Sequence, residues 1–383
     1  MIITTILAIA LAITSVTAKA AVCPTHGSLL ASSGATTSNI IYTMGAPIIT
    51  KPVTVYYIYY GSWSSSQKTI VEDFTRGIGS SKWWDIEKRY YYQASSLAQR
   101  VYVNGTVLLG ATVTDNYTLG RALSGSDLPN LIQRYISTGA LPQNTDAVYF
   151  VLTATDVTEK IRPDIAVGSF CVNYCGYHLS TVLLSGARVF YAMAGNLPAS
   201  CYGSCAPPKN QLKSPNGDIG VDAMLSVIAH ELAEAVSDPQ SDRFRAWQDR
   251  NGYENADKCS YRYGTTSLTP SGASYNMGWG NHSYLIQQNW DPVTQSCALQ
   301  VASSTATASA SGASTGTSTT TTRVIQNIGN SGNQMGTAIA SNARTTYLSI
   351  PIHRPTERSY HYAPLGQSCN PSNICCRFFG FDC

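Results

Sequence analysis

Residues 216–239 read NGDIGVDAMLSVIAHELAEAVSDP. Val221, Met224, Leu225, Ile228, Leu232 and Ala235 recur at the helical period, so the stretch predicts a helix with one apolar face. Asp238-Pro239 ends it, because proline cannot continue a helix and restricts the residue before it. His230, Glu234 and Asp238 stand at i, i+4 and i+8 on the opposite side, with Glu231 at their edge.

His230-Glu231-Leu232-Ala233-Glu234 is therefore an H-E-x-x-E sequence on a helix. It differs by one letter from H-E-x-x-H, the zincin pattern in which two ligands one turn apart bind zinc and the intervening Glu polarises water. Carboxylate oxygen binds Zn²⁺ as well as imidazole does, so Glu234 can take the second ligand position. The reading makes His230 and Glu234 metal ligands and Glu231 a catalytic base. Glu254 or Asp257 completes the shell, ahead of Asp238, which Pro239 forces out of the helix. His178 and His282 are more distant alternatives, and His178, after a cysteine loop, reads as structural. The competing reading is a solvated helix face, since His and Glu are ordinary surface residues. Against it, the preceding Ser226-Val227-Ile228-Ala229 is small and apolar, which suits a buried helix.

Working outward, Lys51–Tyr60 (KPVTVYYIYY) is dense in β-branched and aromatic residues and predicts a strand. Ser64-Ser65-Ser66-Gln67 is a capping box. Ile70, Phe74 and Ile78 then predict a helix to about Gly79. Ala147–Thr153 predicts a second buried strand, and 182–184 with 189–193 a third region of sheet. The expected fold is α+β or mixed α/β: one large domain over 21–300, with helices packed on a sheet. Residues 302–322 are all Ala, Ser, Thr or Gly and offer nothing large to bury, so 301–325 reads as a linker. Residues 326–383 form a tail with four Cys in its last fifteen residues.

Residues 1–20 read as a signal peptide, with an apolar run to Ala12 and Ala18-Lys19-Ala20 as the cleavage site. No later segment is long enough to span a membrane. The chain of 383 residues has 11 Cys, which in an oxidising compartment read as disulfides. Close spacing suggests Cys171–Cys175 and Cys201–Cys205 as local bridges, with Cys259–Cys297 as a long one. A zinc site is the alternative for the first four. The count is odd, so one thiol is left over. Asn104, Asn116 and Asn281 open glycosylation sequons. The net charge of +3 comes without a basic stripe, so nucleic acid is not an expected partner. No Gly-x-Ser-x-Gly, Gly-x-Gly-x-x-Gly or P-loop occurs, which removes the serine-hydrolase elbow and nucleotide loops.

Several blocks resemble the EXORDIUM (phosphate-responsive, phosphate-induced) family: VYYIYYGSWSSSQKTIVEDF at 55–74, FCVNYCGYH at 170–178, SPNGDIGVDAMLSVIAHELAEAVSDP at 214–239, ENADKCSYRYG at 254–264 and SGASYNM at 271–277. The resemblance covers roughly 40–298. It implies a secreted protein of the extracellular matrix or cell wall, with a role in growth or cell expansion and no established catalysis. Its implied partner is a matrix or cell-wall component. The motif points instead to a zincin-like, zinc-dependent hydrolase acting on a secreted protein or peptide.

Overall fold

Val53–Tyr60 (β1) is the centre of the sheet in this computed structural model, which describes residues 38–161, 168–241 and 243–302. The expected leader at 1–20, the linker beyond residue 302 and the cysteine tail lie outside the described residues. Val107–Asp115 (β2), Ala147–Thr153 (β3), Gly176–Val182 (β4) and Arg188–Gly195 (β5) complete a five-stranded sheet in the order β2-β1-β3-β5-β4. All neighbours are parallel except the edge strand β4, which runs antiparallel to β5 through a tight turn at 183–187.

Both faces of the sheet are covered, so the central strands are apolar at almost every position. Val55, Tyr57 and Tyr59 of β1, with Val148, Phe150 and Leu152 of β3, face one side. Helix α1 (Ser65–Ile78) packs there through Ile70, Val71, Phe74 and Ile78. Helix α3 (Ile219–Ser237) covers the same face through Val221, Met224, Leu225, Ile228 and Leu232. Tyr56, Ile58, Tyr60, Tyr149 and Val151 face the other side, where helix α2 (Asp127–Ser137) buries Leu128, Leu131 and Ile132. The fold is thus a mixed helix-and-sheet domain, as expected. Strand β2 and helix α2 are additions to the sequence reading.

The capping box is present: Ser64 Oγ accepts from the amide of Gln67, and Gln67 Oε1 accepts from the amide of Ser64. The other end of the Gln67 amide donates to Asp218 Oδ2 at 2.8 Å. Asp218 is in turn the N-cap of α3, where Oδ1 accepts from Val221 N at 3.0 Å.

Six cysteines form three disulfides: Cys171–Cys201, Cys175–Cys205 and Cys259–Cys297. The long bridge is the expected one; the two local bridges are corrected. Cys201 and Cys205 lie one helical turn apart in the segment 199–205, so their side chains point the same way. They reach a facing loop, and Cys171 and Cys175 on that loop each take one partner. This also removes the alternative of a four-thiolate zinc site. Among the described residues no helix is long and apolar enough to cross a membrane.

Candidate metal centre

α3 is not a surface helix. Sixteen of its nineteen residues are buried, Glu231 and Glu234 among them. Small residues let it approach the sheet this closely. Ala192 and Ala194 of β5 face it, and opposite them on β4 stand His178 and Gly176. A Cβ on Gly176 would lie 2.4 Å from Val227 Cγ1 and 3.0 Å from Glu231 Oε1. Cross-strand partners share a face, so the register that seats Gly176 under the helix also points His178 at it.

His230 Nε2 lies 3.0 Å from Glu234 Oε1 and 3.4 Å from Asp257 Oδ1. Asp257 comes from the segment after α3, and its amide donates to Glu234 Oε1 at 3.0 Å. That segment is fixed from several sides. Asp249 pairs with Lys258 at 3.0 Å, Gln287 Nε2 donates to the carbonyl of Ala256 at 2.8 Å, and Cys259 is bridged to Cys297. His178 Nδ1 stands 3.4 Å from Glu231 Oε2 and 3.5 Å from Glu234 Oε2. Its Nε2 faces Ser241 Oγ at 3.2 Å, the carbonyl of Asp238 at 3.3 Å and Glu254 Oε1 at 3.5 Å.

The structure therefore brings His230, Glu234 and Asp257 together, each offering a donor atom within 4.8 Å of the others. Glu254 reaches the same cavity but faces His178. Asp238 Oδ1 accepts from Ala246 N at 2.7 Å, which shapes the chain after the helix. His282 is elsewhere, 3.3 Å from Asp73. His178, read as structural from the sequence, is part of the site. Locally it is one histidine in a strand that also carries Ser180 and Thr181, and its position became informative only with the β4–β5 register.

Electrostatics follow from burying carboxyls around imidazoles. Burial opposes charge on His178, but Glu254, Glu231 and Glu234 outweigh it and hold its pKa well above the ordinary value. The same balance, with Glu234 and Asp257 foremost, raises His230. Burial works against an ionised Glu234, yet the two imidazoles pull it down to about 2. Burial raises Glu231, and burial with the neighbouring Glu234 pushes Asp257 up to about 7. Glu254 is raised well above the usual range, chiefly by burial. The centre favours bound positive charge, supplied by imidazolium protons or by a cation.

These groups line a cavity of about 170 Å³, closed in part by Tyr261, Tyr263 and the Cys175–Cys205 bridge. The phosphate-induced protein 1 conserved region matches residues 40–300, which contain the whole sheet, α3 and every group of the centre. The chain belongs to the phosphate-induced protein 1 family. Relatives in this family include EXORDIUM-like 3 of Arabidopsis thaliana, 35% identical with 68% of this chain and 83% of the relative covered. EXORDIUM-like 5 of the same plant is 30% identical, covering 68% and 78%. PHOSPHATE-INDUCED 1 of Nicotiana tabacum is also 30% identical, covering 68% and 88%. No solved structure matches the chain.

Proposed function

We propose that this member of the phosphate-induced protein 1 family is an extracellular metalloprotein with a hydrolytic site. In this reading His230, Glu234 and Asp257 bind a divalent cation, Zn²⁺ by the chemistry of the donors. The observation that carries it is the gathering of one imidazole and two carboxylates within 4.8 Å of one another beside a cavity. A bound Zn²⁺ with three protein ligands supplies Lewis acidity at its open position. Glu231 and Glu254 line the cavity outside this ligand set and are the carboxyls available to take a proton there.

Two features support the wider setting. Three disulfides suit an oxidising compartment, and Asn104, Asn116 and Asn281 are all exposed, as glycan acceptors must be. β4 lies at the sheet edge and its residues 176–179 line the cavity, a geometry that suits an extended peptide laid along a strand. Family membership supports a place in the extracellular matrix or cell wall and a role in growth. A second reading, a metal-holding matrix protein without turnover, is favoured by the near-complete burial of Glu231 and Glu234, at 5% and 3% exposure.

Metal analysis of the purified, unchelated protein tests the first claim. Zinc in the wild type, with the ion held by His230, Glu234 and Asp257 lost in Asp257→Asn and His230→Ala, so that each variant carries one ion fewer per chain than the wild type, is expected; a metal-free wild type rejects the site. Incubation of the loaded protein with a mixed peptide library then separates the readings. Chelator-sensitive cleavage supports the hydrolase, and its absence with metal bound supports the holding role.

A further inference from the structure

We propose that the centre holds two divalent cations bridged by Glu234, the first on His230, Glu234 and Asp257 and the second on His178, Glu231 and Glu234. The inference rests on the metal site above and extends it. Glu234 assigns its two oxygens separately. Oε1 faces His230 Nε2 and the amide of Asp257, whereas Oε2 faces His178 Nδ1. A carboxylate divided in this way is placed to bridge two ions, which in two-metal sites stand about 3.5–4 Å apart.

The distances around His178 point the same way. A charge-assisted hydrogen bond between imidazole and carboxylate closes to about 2.7–2.9 Å. His178 Nδ1 instead stands 3.4 Å from Glu231 Oε2 and 3.5 Å from Glu234 Oε2, equally far from two acceptors and bonded closely to neither. Bonds of about 2.0–2.1 Å meeting near the tetrahedral angle put neighbouring donors roughly 3.3–3.4 Å apart. Both distances match the spacing of neighbouring ligands around an ion, and the three residues each offer an atom within 4.8 Å of the others. Glu254 supplies an independent sign. It is 8% exposed, and its Oε1 has no hydrogen-bond partner although it points into the cluster, 3.5 Å from His178 Nε2.

Charge agrees. Glu231, Glu234, Glu254 and Asp257 surround two imidazoles, and the Lys258 ammonium next in sequence is paired with Asp249. Glu231 becomes a ligand in this arrangement, which leaves Glu254 as the carboxyl free to take a proton.

The test is a metal count on the full-length chain, stripped with chelator, reloaded with Zn²⁺ or Mn²⁺ and freed of loose ions by gel filtration. About two ions per wild-type chain are expected. His178→Ala should retain about one, and Glu234→Ala should lose at least tenfold in affinity for both. Paramagnetic resonance of the Mn²⁺-loaded wild type should show a coupled pair, a readout that needs no variant. A wild type with one ion and an uncoupled signal, its ion kept in His178→Gln and lost in His230→Ala, overturns the second ion and leaves the first. A wild type that binds none overturns both.

Discussion

Among the described residues, Glu159 and Glu234 are both buried carboxyls with no ion pair to lysine or arginine, and they meet opposite fates. Glu159 lies 2% exposed and accepts from the hydroxyls of Tyr174 and Tyr177, the latter at 3.1 Å. Burial pushes it up to about 7, because its partners are neutral. Glu87 repeats the pattern with Asn255 and Asn289 as donors, and burial raises it well above its usual range. Glu234 is as deeply buried, but two imidazoles stand against it and it stays ionised. A lone acid in the core is accommodated by a proton and by packing. A set of carboxyls gathered around imidazoles is arranged for exchangeable positive charge, and that difference separates a structural acid from a site.

The contrast is tested most directly by loading the protein with zinc and then adding chelator. An ion present at about 1,000 times its Kd stabilises a domain by about 4 kcal/mol, which for a domain of this size is roughly 8–15 °C in melting temperature. Calorimetry of the zinc-loaded protein should show that fall on adding chelator. Glu159→Gln should show a fall of the same size, because Glu159 belongs to the other class. A melting point indifferent to chelator would place Glu234 in the structural class too.

The disulfides sharpen the comparison. Replacing Cys259 and Cys297 by Ser opens a loop of separation 38, and replacing Cys171 and Cys201 opens one of separation 30. Chain entropy makes the first loss roughly 4 kcal/mol and the second smaller, because Cys175–Cys205 still closes nearly the same loop. Only the first bridge anchors the segment carrying Glu254 and Asp257. Zinc affinity, measured by competition with a chromophoric chelator, should fall at least about tenfold in the first variant and stay within about twofold in the second. Equal affinity losses would show that the segment is held by its other contacts.

A smaller effect isolates Glu159. Its folded pKa of about 7 lies above the ordinary 4.5, so the folded state keeps a proton that the unfolded chain releases. Its contribution to stability is therefore complete below about 4.5 and is lost as pH rises to about 7, by roughly 3 kcal/mol across the window. The difference in melting temperature between wild type and Glu159→Gln should change in the wild type's disfavour across that window. A constant difference would mean that Glu159 is ionised in the folded protein. The smallest expected effect is at the start of α3, where Asp218→Ala removes a cap worth about 1 kcal/mol and should leave metal content unchanged.

What the sequence revealed was local. β1, β3, α1 and α3 have a run, a period or a cap within their own boundaries: Ser64 and Gln67 start α1, and Asp238-Pro239 ends α3. His230, Glu234, Glu254 and Asp257 were legible for the same reason, as one helical turn plus a nearby acidic segment. β2 was obscured by Gly110, which the strand needs because a Cβ there would lie 2.3 Å from the ring of Tyr56. α2 is short, and its Leu128, Leu131 and Ile132 make one brief apolar face. His178 and the crossed pairing of Cys171, Cys175, Cys201 and Cys205 depend on which distant segments lie side by side. Nothing within a window of sequence encodes that.

Gln67 has a kinetic consequence. It is the third residue of α1 and reaches, across 151 positions of chain, the cap of α3. Helix starts ordinarily fray first, since their amides have no partner within the helix. Here, loosening either start takes a partner from the other, so the two openings are coupled by about 1 kcal/mol, the worth of that hydrogen bond. The Val221 amide, capped by Asp218, should then exchange with deuterium severalfold faster in Gln67→Ala than in the wild type. The helix that carries His230 would be clocked by a residue on a different helix.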